Sequence, residues 1–335
     1  MILQTALPIL LCATVLFSLT LGRYPISCHD ILQLVQFHCG GFTGQLDIER
    51  LQTVNNILLH IRLPRIIAAA MIGAALSVSG AAFQSVFRNP LVSPGLLGVL
   101  AGASFGAALA MMLFDHWLLV QISAFAGGIA AVLVALAIAA VNRFGSILFL
   151  VLGGMISTAL FSALLSLVKY AADPYNQLPA IVFWLMGSLA NTDPDNVWPL
   201  APVLLAAMLG LIALGRYLDA MSMGDEEAQS LGVSVQKIRM AAIILATLIG
   251  AMTVALAGSI GWIGLIVPHI ARLVVGTNCR VLLPASAWIG AIFLLLADDL
   301  ARDWLAVEMP IGVLTELLGI AVFLLVLRNI RKGWV

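Results

Sequence analysis

Three adjacent carboxylates, Asp225, Glu226 and Glu227, stand between Gly224 and Gly232 in a 335-residue chain that is 62% hydrophobic and only 10% charged. Gly224 permits a tight turn, the acids favour the positive end of a short helix, and Gly232 can end that helix in a left-handed conformation. With Ala228, Ser230 and Leu231 they form a polar island that is either a solvated connector or a surface to be touched by a partner. Elsewhere the reactive side chains are spread thin. The five histidines are scattered, and neither His-Glu-x-x-His nor Gly-x-Ser-x-Gly occurs, which leaves little support for a membrane protease or hydrolase. A Gly-x-x-x-x-Gly-Lys-Ser/Thr loop is missing too, so the chain brings no phosphate-binding loop of its own. Cys28, His29, His38, Cys39 and His60 lie close in sequence. A Cys28–Cys39 bridge and two unpaired thiols are both open on this spacing, and a metal site fits less well than either. The expectation is a non-enzymatic chain with no catalytic residue, cofactor or metal ligand of its own.

The framework that carries these groups has to sit in a membrane. Mean hydropathy is +1.10, and 16 basic residues balance 16 acidic ones, so no net field draws the chain to nucleic acid. Apolar runs of about 18 residues or more recur, each able to cross a hydrocarbon core of about 30 Å. They are continuous rather than alternating, which makes them helices and not barrel strands. The expected class is an all-α integral membrane protein: one transmembrane domain over 1–335, with about ten spans at 7–22, 62–87, 91–114, 118–140, 147–170, 198–215, 238–257, 260–272, 284–302 and 310–327. The third should be irregular at its start, where Pro94, Gly95 and Gly98 cluster, and the eighth short and interrupted by Gly261, Gly264 and Pro268. Small residues from Gly73 to Gly80 mark close helix packing in the second. Segment 23–56 reads as a polar outer loop, 179–190 as an interfacial helix with Trp184 at headgroup level, and 216–237 as the cytoplasmic connection that holds the island.

An even number of spans puts both termini on one side. Of the sixteen Lys and Arg residues, ten fall on the side of the C-terminus, which favours a cytoplasmic C-terminus and island. Arg62, Arg65 and Arg302 are then exceptions on the outer side. A faint internal echo pairs the halves: Ser79-Gly80 precede Pro90 at the same spacing as Ala257-Gly258 precede Pro268, as a weak inverted repeat would, with chance as the rival account.

Arg62-Leu63-Pro64-Arg65, Gly73-Ala74-Ala75-Leu76 through Gly80, Asn89-Pro90-Leu91 with Pro94-Gly95-Leu96-Leu97-Gly98, Trp184 with Gly187-Ser188-Leu189, the Gly-Asp-Glu-Glu-Ala island, Gly264 to Arg272, and Ala297-Asp298 with Arg302 fall in one order. That order resembles the permease subunit of bacterial type II ABC importers for iron-siderophore, haem and cobalamin; relatives with this signature also move molybdate. The resemblance implies a multi-pass protein of the bacterial inner membrane that works as a homodimer with its pathway on the twofold axis. It implies two separate ATPase subunits, which would hold the ATP and Mg, and a periplasmic substrate-binding protein that delivers a metal chelate. Residue by residue, it implies a coupling helix at Gly224, Asp225, Glu226, Glu227, Ala228, Ser230, Leu231 and Gly232, and docking of the binding protein on Arg62, Arg65 and Arg302. It also implies a cytoplasmic gate near Asn89, Pro90, Leu91 and Ser146. An i,i+4 pair with Asp298 is the alternative for Arg302, and simple helix capping for Ser146. Glu316 departs from the family pattern. It lies roughly 10 Å into the last helix, where a pathway role competes with a local partner or a water-filled cleft. A secondary transporter without an ATPase is the competing function class.

Overall fold

A computed structural model describes residues 2–38, 48–140, 147–190, 192, 194–304 and 307–330, and among these the chain forms helices and no strands. In order they are α1 (Ile2–Thr20), α2 (Cys28–His38), α3 (Ile48–Asn56), a π-helical turn (Ile57–Arg62), α4 (Leu63–Val86), a 3₁₀ turn (Pro94–Leu97), α5 (Val99–Leu113), α6 (Trp117–Ala140), α7 (Ile147–Ala171) and α8 (Gln177–Leu185). Then follow α9 (Pro194–Ala213), α10 (Gly215–Met223), α11 (Asp225–Ser230), α12 (Val235–Ala257), α13 (Ile263–Val275), α14 (Cys279–Asp303) and α15 (Ile311–Ile330). Six apolar stretches are long enough to cross a bilayer: α4 with its helical lead-in, α6, α7, α9, α12 and α14. Shorter apolar helices lie in α1, α5, α13 and α15, so apolar helices stand at all ten expected positions, six of them long enough to cross.

Several boundaries differ from the sequence reading, each for a local reason. The stretch 23–56 is not simply a loop. It holds α2 and α3, and α3 runs through the π-helical turn straight into α4. Pro64 would clash with the carbonyl four residues back in a regular helix, and a turn widened to i→i+5 bonds accommodates it. Trp184 is buried among helices of this chain. It packs in a cluster with Ala103, Ala107 and Val254. Helix α14 begins at Cys279 rather than at Pro284, because Asn278 caps it with a side-chain oxygen that accepts from the Arg280 amide at 3.0 Å. The echoed spacings land on unlike backbone: Gly80 is mid-helix and Gly258 ends α12, while Pro90 is non-helical and Pro268 is inside α13. The Cys28–Cys39 pairing and Ser146 involve residues outside the described set.

Helices α4 and α12 are enclosed along most of their length, whereas α6, α7 and α9 leave most of theirs on the outside. Small residues make the close approaches. A methyl group on Gly73 would lie 2.2 Å from the Gly290 carbonyl oxygen of α14, and one on Gly80 only 1.9 Å from that of Gly264 in α13. These backbones touch, as expected where apolar surface alone does not drive association. Helix α4 is antiparallel to α14: Arg65 near its start meets Asp298, and Ser85 near its end meets Cys279. The bundle therefore has an arginine end and an island end, separated by the length of α4, about 36 Å.

Candidate functional site

At the island end, Gly224 (φ +142) and Gly232 (φ +80) bound α11 as the sequence predicts. At φ +142 Gly224 holds a backbone conformation that other residues rarely adopt, which favours glycine in this turn. The three acids do not share one fate. Asp225 turns inward, accepting from Arg239 of α12 at 2.7 Å and lying 3.6 Å from Arg88, which follows α4. Ala228 is fully buried beneath the helix. Glu226, Glu227, Ser230 and Gly232 are exposed, and Met223 (68% exposed) and Leu231 (65%) flank them as apolar groups in water. The result is a short helix pinned on its inner side and free on its outer side. Arg88 itself sits at φ +48, the left-handed position that closes α4, and the Asn89 amide reaches back to the Gln84 carbonyl at 3.1 Å.

Next to it lies the expected gate. The Leu91 amide donates to the Asn89 side chain at 2.9 Å, which fixes the turn and leaves Leu91 59% exposed. His269 Nε2 is 3.0 Å from the Pro90 carbonyl. Gln84 ties the same two helices, accepting from Arg272 at 2.6 Å and donating to the Leu265 carbonyl at 3.2 Å. The structure thus brings Asn89, Pro90 and Leu91 together with α13.

The arginine end departs from the expected outward patch. Arg62 is buried, its two terminal nitrogens donating to the Leu19 and Tyr24 carbonyls at 2.5 Å each, so it closes the end of α1. Arg65 is buried as well, forked onto Asp298 at 2.7–3.1 Å and paired also with Glu308. Arg302 makes the expected i,i+4 contact with Asp298 at 3.3 Å and pairs with Asp299, which in turn accepts from Ser18 at 2.6 Å. A bare guanidinium in a low-dielectric bundle needs carboxylates and carbonyls around it, and here the fold supplies them. Each of the three side chains is taken up by carbonyls or carboxylates of the chain itself.

Glu316 is exposed on α15, and among the described residues it has no hydrogen-bond or ion-pair partner. It lies beside Gly261, where an added methyl would be 3.5 Å from its Oε1. Sequence reasoning passes over Arg239 and Gln84. Arg239 lies too far along the chain from Asp225 for any helical spacing to pair them, and Gln84 looks like one more polar residue in a small-residue helix.

Outside the spans, Asp30 has a carboxyl held down to about 2. The first cause is the Ser27 amide donating at 2.9 Å, then the Ser27 hydroxyl at 2.7 Å, with Arg50 at 3.1 Å adding to it.

Comparison with known proteins places this geometry in context. The model of the FecCD transport family matches residues 10–329. The molybdate import system permease protein of Haemophilus influenzae is 38% identical over 330 residues, covering 98% of this chain and 95% of that one. The hemin transport system permease protein of Yersinia pestis is 38% identical over 289 residues, 82% of this chain and 84% of that one. A solved structure described as an inward-facing conformation of a metal-chelate type ABC transporter superposes with a TM-score of 0.86 at 36% identity, covering 98% of this chain and 99% of that one.

Proposed function

The chain belongs to the FecCD transport family, and we propose that it is the membrane-spanning subunit of an ATP-driven importer for a metal chelate. In this reading the whole of 1–335 is one transmembrane permease domain in the inner membrane, with both termini and the island end in the cytoplasm. Two copies surround a pathway on their twofold axis. Two separate ATPase subunits carry the ATP and Mg, and a periplasmic binding protein docks at the arginine end. Since Arg62, Arg65 and Arg302 are internally occupied, that docking falls to the rim around them, where Trp304 and Val307 are exposed. Relatives named for hemin support a metal chelate; molybdate and cobalamin are the alternative cargoes on the same architecture.

The observation that carries the reading is the two-sidedness of α11. A mere connector would have no need of Asp225 clamped between Arg88 and Arg239 while Met223 and Leu231 stand in water. A coupling helix needs both: an outer surface for the ATPase and a rigid inner attachment. Movement of α11 would pass through Asp225 to the end of α4, and from Pro90 through His269 to α13. The substitutions Glu226→Lys, Glu227→Lys and Leu231→Asp should leave the permease folded in membranes and abolish co-purification with its ATPase or ligand-stimulated hydrolysis. Unchanged coupled hydrolysis in the triple variant would sink the assignment, and transport without any ATPase would favour a secondary carrier.

A further inference from the structure

Resting on that importer reading, we propose that Glu316 and the aromatic stripe beside it form a charge filter in the translocation pathway, selecting a substrate that carries positive charge and rejecting free oxyanions. Depth is the first ground. Gly264 packs against Leu76 and Gly80, midway along α4, so α13 starts near the middle of the bundle and Glu316, beside Gly261, lies at a similar depth. A carboxylate there must face water, a counter-charge or a second protein surface, because lipid would not tolerate it. Among the described residues it has no partner, and its neighbour on the same helix face, Ile320, is 45% exposed.

The second ground is what continues from it. Positions 316, 319, 320 and 323 share one side of α15. Gly319 leaves room for Trp262, whose Cβ would lie 2.8 Å from an added methyl. Phe323 meets the Trp262 ring edge-on with centroids 6.2 Å apart, and the His269 ring at 6.3 Å. His269 then contacts the Pro90 carbonyl at 3.0 Å, beside the exposed Leu91. One stripe therefore joins the mid-depth carboxylate to the gate, and Trp262, Phe323 and His269 are all only half-buried along it. Trp262 is held at φ +67, a conformation a bulky residue rarely adopts, and such strain persists where the surroundings fix a side chain for use.

The chemistry of the stripe has one sign. A carboxylate attracts cations, and the faces of tryptophan and phenylalanine favour them as well. A positive charge, Arg272, stands at the far end of the stripe, in the last turn of α13, where it donates to Gln84. Twofold symmetry would set two copies of Glu316 about the pathway. A rival account, in which Glu316 only steadies the positive end of α13, predicts no discrimination between ions.

The test uses the full permease–ATPase complex in proteoliposomes, with Ile320→Cys as a reporter one turn from Glu316. Labelling at position 320 by a cationic and an anionic methanethiosulfonate reagent is followed by site-resolved mass spectrometry. The cation-to-anion rate ratio should fall at least about fivefold when Glu316→Gln is added, the discrimination a single carboxylate gives at about 8 Å in a water-like medium. A ratio unmoved by Glu316→Gln, or a position unreactive to both reagents, overturns the filter. In the same preparation, failure to recover an ATPase subunit would count against the importer reading, whereas an assembled complex without discrimination counts against the filter alone. Saturable uptake of molybdate by the complete importer with its own binding protein would overturn the substrate class, and its absence is the expected result.

Discussion

Replacing Arg65 with methionine separates an internal strut from a docking surface. Asp298 is fully buried and receives Arg65 through three contacts at 2.7, 3.0 and 3.1 Å, with Arg302 further off at 3.3 Å. Without Arg65 the carboxylate keeps only the weaker partner, and Glu308 loses its arginine. Removing one member of a buried ion pair costs about 3–5 kcal/mol. Because Arg302 remains, the lower end applies. A loss of about 3 kcal/mol, at roughly 2 °C per kcal/mol for a chain of this size, lowers the unfolding midpoint by about 6 °C. Tryptophan fluorescence of the detergent-solubilised protein during heating would read it. The double variant Arg65→Met with Asp298→Asn also removes the stranded charge and should recover about half the loss or more. If Arg65→Met kept its midpoint and lost only binding of the periplasmic partner, the strut argument would be refuted and Arg65 returned to a docking role.

Gly80→Ala places a methyl 1.9 Å from the Gly264 carbonyl, where contact needs about 3.2 Å, so α4 and α13 must separate by about an ångström. Thermal midpoint and dimer content should both fall; an unchanged midpoint would mean the crossing is looser than it stands here. By contrast, nothing lies within 4 Å of an added methyl at Gly232, whose φ is +80. Gly232→Ala should cost only about 1 kcal/mol of backbone strain, seen as faster hydrogen exchange confined to 225–233. Asp30 titrates about two pH units below its ordinary value, so its contribution is complete above about pH 4 and disappears as pH falls toward 2. Protease sensitivity of 28–56 should rise over that window, and Asp30→Asn should be sensitive already at neutral pH.

The ten apolar helices and the bounds of the island were legible because each depends on a run of residues next to one another. Hydropathy marks a helix, Gly224 and Gly232 mark the stops of α11, and the Asn89-Pro90 pair falls just past the end of α4, which Arg88 closes. The irregular start before α5 was equally plain, since Gly98 takes φ +84 between the 3₁₀ turn and the helix. What stayed hidden depends on pairs distant in sequence. Asp225 reads as one of three equivalent acids until α12 brings Arg239 to it, and nothing near Trp184 in sequence announces that α5 and α12 close over it. The start of α3 was hidden for a different reason: Pro64 signals a helix opening, yet the helix passes through it by way of a π-helical turn.

The arginines at this end of the bundle show how a charge count can mislead about contact. Arg62, Arg65 and Arg302 looked like violations of the positive-inside rule that a negative partner would have to explain. Their cluster also holds Asp298, Asp299 and Glu308, and Arg62 spends its donors on two carbonyls. Neutralised in this way, the cluster contributes no free positive charge to its end of the bundle, so the anomaly dissolves without any partner. The same accounting leaves Glu316 without a counter-charge at mid-depth. A fold that satisfies the buried arginines at one end with acids and backbone carbonyls, and leaves Glu316 bare on an exposed helix face, has the means to pair that acid. The missing counter-charge is therefore sought outside the protomer, in whatever passes along that face.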